Sequence, residues 1–302
     1  MTRRERVIGA LRHERTDIIP YEVGFTEKEY EAYAAYTGDA EFAKKIGNHT
    51  AGAYYSGYSE GLAGPVEGKP GYFADDFGVV WNRTVDRDIG VIENFVLPEP
   101  DLSAFKPPAL DYDAMRKSFG RLAERSAAGD GLFTYGSLGF SMFERAWTLR
   151  GMENFLIDMI SEPSFAHGLL DAICDFNMEF INFGLTYDID GFYFGDDWGQ
   201  QKGLIMGPAL WREFIKPRVA RMYAAVKAEF GKELSFWGGI STQRLLPFAS
   251  PAEIKAKTVE IMRIMGEGGG YIAAPTHAIP GDVPPENVAA MLEVFQNQDK
   301  YL

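Results

Sequence analysis

The stretch Asp190-Gly-Phe-Tyr-Phe-Gly-Asp-Asp-Trp-Gly199 is an aromatic run that stops at two adjacent acids. A short apolar segment left through glycine reads as a buried strand: bulky side chains favour a packed, pleated surface, and the glycine permits the turn that follows. The same construction recurs. Leu132-Phe-Thr-Tyr135 runs into Gly136-Ser-Leu-Gly139, Leu234-Ser-Phe-Trp237 into Gly238-Gly-Ile-Ser-Thr, and Tyr271-Ile-Ala-Ala274 into Pro275-Thr-His277. Helical periodicity separates these runs, from about Tyr112 to Ala128, Met142 to Thr148, Ser164 past Cys174 to Leu185, and Pro208 to Phe230. Strands alternating with helices of this length predict an α/β fold with parallel strands.

The N-terminal part follows another pattern. A short amphipathic helix places Val7, Ile8 and Leu11 on one side, and Asp17 to Phe25 reads as a strand with Pro20 near its start, where a missing N–H is tolerable. Thr26 caps a helix from Glu27 to Tyr36. The glycine- and tyrosine-rich stretch from His49 to Lys69 predicts an irregular excursion, and Phe77 to Trp81 with Gly90 to Val96 predicts an antiparallel pair.

The chain has 302 residues, 46% of them hydrophobic, enough for a full core, and its pattern reads as a single domain over 1–302. With 43 acidic against 30 basic residues the net charge is -13, which argues against a nucleic-acid or anionic-membrane binder. The apolar runs are far shorter than the roughly 20 residues a bilayer span needs. A lone cysteine, Cys174, can form neither an internal disulfide nor a thiolate metal cage, so a cytoplasmic protein without a bound metal is expected.

The polar residues that follow the strands are the candidate site. In a parallel barrel the strand ends converge on one face, where groups from distant positions meet. On this rule Tyr135, Ser137, Gln200, Ser241 and Gln243 are expected to bind substrate, and Asp196, Asp197 and His277 to carry chemistry. Two adjacent carboxylates can be split in proton affinity and share acid and base work. His277 suits proton transfer, or serves as a hydrogen-bonded wall residue. The glycines from Gly266 to Gly270 precede a strand and lack nucleotide-loop spacing, so they read as a helix-to-strand turn.

Several blocks carry a resemblance: Arg3-Arg4-Glu5-Arg6-Val7 with Ala10-Leu11-Arg12-His13-Glu14, Asp75-Asp76-Phe77-Gly78-Val79-Val80, Phe194 to Gln200 with Trp211-Arg-Glu-Phe-Ile-Lys-Pro217, Phe236-Trp-Gly-Gly-Ile240, and Gly268-Gly-Gly-Tyr271 with Pro275-Thr-His277 and Val283-Pro-Pro-Glu-Asn287. In this order they resemble the uroporphyrinogen decarboxylase superfamily, nearly end to end. The resemblance implies a (β/α)8 TIM-type barrel. It also implies that Asp75 or Asp76 occupies the position of an aspartate that binds pyrrole N–H groups and stabilises a protonated intermediate, while the residues alone equally read as a turn-forming pair. The matching histidine, His277, would contact substrate.

Two departures qualify what is implied. Members normally place two further strand–helix units before the Phe236 strand, the first ending in a His-x-Cys-Gly motif, whereas here Tyr223 to Glu233 leads straight into Leu234. A reduced barrel of about six parallel strands is therefore expected, with a helical and hairpin excursion at its N-terminus and a homodimer to cover the open side. The second departure lies between Tyr21 and Thr26, which lacks the arginines that hold substrate carboxylates in the decarboxylases. The expected function is cofactor-independent decarboxylation of an anionic, carboxylated small molecule, a tetrapyrrole among the candidates. The alternatives are methyl transfer with a corrinoid protein or a thiol, and an inactive truncated member.

Overall fold

The computed structural model describes residues 1–55, 64–85, 90–129, 131–200, 202–226 and 235–302. In chain order its elements begin with α1 (Arg3–Leu11), α2 (Glu27–Thr37), α3 (Ala43–Ile46) and β1 (Thr50–Tyr55). Four short strands follow, β2 (Gly64–Pro65), β3 (Tyr72–Ala74), β4 (Val80–Asn82) and β5 (Val91–Ile92), then α4 (Tyr112–Ala127) and β6 (Phe133–Leu138). Next come α5 (Phe143–Arg150), α6 (Met152–Ser161), α7 (Pro163–Gly184), β7 (Gly191–Phe194), β8 (Gly199–Gln200) and β9 (Gly203–Leu204). The chain continues with α8 (Gly207–Leu210), α9 (Lys216–Ala225), β10 (Phe236–Ile240), α10 (Pro251–Gly266), β11 (Tyr271–Pro275), α11 (Pro285–Gln296) and α12 (Gln298–Tyr301). No helix among the described residues is long and apolar enough to cross a membrane.

The chain divides into two compact units. The first comprises Met1–Ala51, Ala128–Phe133 and Glu229–Leu302; the second comprises Gly52–Ala127 and Thr134–Ala228. In the first unit β10 and β11 pair in parallel, with Phe236 opposite Tyr271 and Ile240 opposite Pro275. The expected strand from Asp17 to Phe25 contributes two isolated parallel bridges, Tyr21 to Ala273 and Phe25 to Ile279. Tyr21, Val23, Tyr33, Ile254, Met262, Tyr271, Met291 and Phe295 belong to the buried cluster of this unit. The turn at Gly266–Gly270 joins α10 to β11, as its sequence predicts. Gly269 has φ 88°, and a Cβ there would stand 2.7 Å from the His13 carbonyl carbon, so a side chain would collide with backbone.

In the second unit β6 and β7 pair in parallel, with Tyr135 opposite Gly191 and Leu138 opposite Phe194. They belong to a three-stranded sheet ordered β1-β6-β7. The α/β class with parallel strands is thus present. The hairpin excursion is present as a four-stranded antiparallel sheet ordered β2-β3-β4-β5, in which Trp81 faces Ile92. Only the end of the Phe77–Trp81 run is strand; residues 75–79 instead form a turn, because the Asp75 carboxylate accepts the N–H groups of Phe77 and Val79.

The helix expected from Pro208 to Phe230 is divided. Trp211–Ile215 is π-helical and separates α8 from α9. Pro217, which carries no N–H, lies in the first turn of α9, where a continuous helix would demand a donor. Residues 226–235 separate α9 from β10, far short of the roughly 30 residues of one strand–helix unit. The expected Phe230–Glu233 connection lies outside the described residues.

Candidate functional site

The strand ends of the second unit gather an acidic group around the start of α5. Met142 precedes that helix and supplies no capping side chain. The cap comes from elsewhere. Asp196, two residues past β7, accepts the Phe143 N–H at 2.9 Å and the Glu144 N–H at 2.8 Å. The Trp198 indole N–H donates to the same carboxylate. Burial pushes the Asp196 carboxyl up, and these donors, with the positive end of the helix, favour its charged form.

Glu144 completes the group, and the sequence reading missed it. Its carboxyl is half-buried and pushed up to about 8, first by burial and then by the charges of Asp197 and Asp196; the Asp197 N–H and Arg145 act the other way. Its signal was available, since Glu144 follows a strand end just as the predicted site residues do, but it lay inside a helical pattern. Asp197 is exposed.

Tyrosines adjoin the acids. Tyr135, buried in β6, has its hydroxyl 3.2 Å from that of Tyr54, and its ring lies 6.1 Å from that of Tyr193 on β7. The Tyr193 hydroxyl is pushed up by burial, with smaller contributions from Tyr54, Asp197 and Glu144. Ser137 is buried opposite Tyr193. Gln200 is exposed on β8.

Asp75 has a different setting. It is 4% exposed, and besides the two turn N–H groups it accepts the Trp81 indole at 3.3 Å and the Arg145 guanidinium at 2.8 Å. Arg145 is 3% exposed and lies over the Phe77 ring, 4.3 Å from its centroid. The Asp75 carboxylate therefore closes the turn and neutralises a buried cation; its neighbour Asp76 is half-buried.

In the first unit, Ser241, Gln243 and His277 follow β10 and β11. Ser241 accepts the Arg244 N–H at 3.1 Å, and Gln243 is exposed. The two strand ends are tied by Thr242 and Thr276, whose hydroxyls stand 3.2 Å apart. His277 is exposed, with Nδ1 3.0 Å from the Ala278 carbonyl oxygen. This unit also holds an acid that the sequence reading passed over: Glu22 accepts the Asn48 side-chain N–H at 2.9 Å and the Thr50 hydroxyl at 2.7 Å, and burial pushes it up to about 7.

A thiolate-bound zinc, which the methyltransferase branch of the resemblance implies, does not fit these residues. Cys174 is buried in α7, its thiol is pushed up by burial, and its sulfur contacts the Arg218 carbonyl oxygen at 3.8 Å. Among the described residues no three His, Cys, Asp or Glu side chains are grouped to hold a metal ion.

Comparison with known proteins adds the family. Residues 140–236 and 225–298 match the family model described as uroporphyrinogen decarboxylase (URO-D), in two pieces that overlap at 225–236. A solved structure of a methyltransferase from Methanosarcina mazei matches with a TM-score of 0.70 over 99% of each chain, at 16% identity. No curated protein sequence matches significantly.

Proposed function

The chain belongs to the uroporphyrinogen decarboxylase family, and on that premise we propose a decarboxylase that works by acid–base and electrostatic catalysis on a carboxylated small molecule, without a cofactor. The observation that carries this reading is the group formed by Glu144, Asp196 and Asp197. The environments of the first two differ: Asp196 is met by three N–H donors, while Glu144 stands in a half-buried, acid-rich setting that favours its proton. Carboxyls separated in this way divide the work into a proton donor and a charged partner.

In the proposed step the bond between the substrate carbon and its carboxylate breaks. A proton from solvent makes the substrate's ring cationic and electron-poor, the electron pair of the broken bond passes into that ring, CO2 leaves, the carbon takes up one proton from Glu144, and the ring returns its added proton to solvent. Asp197 faces the cation and stabilises it. Tyr135, Tyr193 and Ser137 line the binding surface beside these acids. Asp75 positions Arg145 and the turn beside it. Ser241, Gln243, Gln200 and His277 are proposed to contact the substrate, with Asp76 as a further polar contact. Solvent returns the proton to Glu144.

For the scaffold we propose a reduced barrel of six parallel strands lacking two strand–helix units, acting as a single domain and as a homodimer. The short span between α9 and β10 and the two-piece family match support this reading. A solution mass of one chain, 33.7 kDa, would refute the dimer.

Incubation with uroporphyrinogen tests the function, with chromatography for coproporphyrinogen and trapping of released CO2. Product formation is expected for a tetrapyrrole substrate. Formation of a methylated thiol from methylcobalamin and a thiol, with no CO2, would replace this reading by methyl transfer. Folded protein inactive in both assays across a panel of carboxylated heterocycles would leave the inactive-member reading in its place.

A further inference from the structure

One buried acid lies outside the site described above. Glu29 is the third residue of α2 and is 0% exposed, yet neither carboxyl oxygen has a hydrogen-bond partner among the described residues. An isolated polar group in the interior carries a large desolvation cost and calls for an explanation.

Two other helices show what this position normally does. At α1, Glu5 reaches back to the N–H of its cap residue Thr2, and at α10, Glu253 reaches back to Ser250. Thr26 and Glu29 have the same spacing, but the return bond is closed to them. The Thr26 N–H donates to the Ile279 carbonyl at 3.1 Å, and the Thr26 hydroxyl donates to the same oxygen at 2.9 Å. The Ile279 N–H in turn donates to Gly24 at 2.9 Å, and the Lys28 stem fills the space a side chain at Gly281 would need. The start of α2 thus clamps residues 279–281, just beyond His277. The clamp leaves Glu29 buried without a donor.

We propose that Glu29 is a proton-controlled latch: with its proton it lets the start of α2 hold the segment after β11, and without it that hold is weakened. Burial pushes the carboxyl up to about 7. Asp282, next to the clamped residues, adds to the rise, and Lys28 of the same helix opposes it. From α11, which packs on α2, Val288, Met291, Leu292 and Phe295 are buried and apolar. Because the folded proton affinity exceeds the ordinary value of 4.5, the hold is complete below 4.5 and is lost as pH rises through about 7. The latch does not depend on the reaction proposed above, since its test reads the backbone.

Hydrogen exchange of residues 276–283 in the full chain, corrected for intrinsic rates, tests it at about pH 6 and about pH 8. Protection is expected to fall up to about tenfold at the higher pH. In Glu29→Met protection should be equal at both. A second variant, Asp282→Asn, removes a neighbouring charge that raises the Glu29 proton affinity, so the loss of protection should move to lower pH, and an unchanged midpoint would overturn the latch. Equal protection of the wild-type chain at both pH values would also overturn it, as would full recovery at the higher pH on adding magnesium or calcium, which would make Glu29 a cation seat.

Discussion

Asp196 accepts the backbone N–H of Glu144 at 2.8 Å, so the residue that follows β7 fixes the start of the helix that follows β6. One carboxylate thereby ties together two successive strand ends. Replacing it with alanine removes the side-chain cap that α5 has among the described residues and leaves the Trp198 indole without this acceptor. Asp196→Ala is expected to cost about 1–2 kcal/mol, the usual worth of a helix cap. Urea unfolding measures this, and a loss indistinguishable from zero would contradict the capping role.

Glu144→Gln tests the proposed proton donor. The amide keeps the size of the side chain but carries no transferable proton, so CO2 release should fall by about 10²–10⁴. Wild-type turnover should decline as pH rises through about 8, because only the protonated carboxyl donates. The stability effect has the same sign: with a folded proton affinity above 4.5, the contribution of Glu144 is present below 4.5 and lost as pH rises through about 8. Glu144→Gln should therefore unfold at a higher temperature than wild type in alkaline buffer. A variant with full activity would remove Glu144 from the mechanism.

What the sequence made legible was pattern that repeats. The aromatic runs before Gly136, Gly195 and Gly238 marked parallel strands, and the rule that chemistry follows strand ends singles out Asp196 and Asp197 for the proposed site. What escaped was pairing between distant residues. Nothing near Phe143 in sequence shows that its N–H is capped from Asp196, and nothing near Asp75 shows that Arg145 will enter the core beside it. Glu144 was hidden for a related reason, since a polar residue in the first turn of a helix is ordinary until the strand beside it is known. The π-helical turn at Trp211–Ile215 was masked by a good helical period on either side of Pro217.

His49 contributes to the loss of stability in acid. It is 2% exposed, its Nδ1 accepts the Tyr21 N–H at 3.4 Å, and burial first of all pulls it down to about 4 from 6.5. The folded chain therefore binds this proton less readily than the unfolded one. Its contribution is intact above 6.5 and is lost as pH falls through about 4, up to about 3 kcal/mol at about 1.4 kcal/mol per pH unit. Glu22 and Glu29 act in the opposite sense, so the useful quantity is the difference between wild type and His49→Leu. That difference in unfolding free energy should change across this window, and a constant difference would refute the assignment.

Arg145 and Asp75 form a buried ion pair of the second unit that is costly to break. Both side chains are almost fully buried, at 3% and 0% exposure, and the guanidinium is also covered by the Phe77 ring. Removing either partner leaves a charge in the interior without its counter-charge, a change that typically costs about 3–5 kcal/mol. Removing both together with apolar replacements of similar volume avoids that penalty. Arg145→Met and Asp75→Leu should each destabilise strongly, and the double variant should recover part of the loss, with a coupling of about 1–3 kcal/mol. Full recovery is not expected, because Asp75 also holds the N–H groups of Phe77 and Val79 and the Trp81 indole, which the double variant leaves unsatisfied. Chemical denaturation of the four proteins measures the cycle, and strictly additive losses would show that the two side chains do not act as a pair.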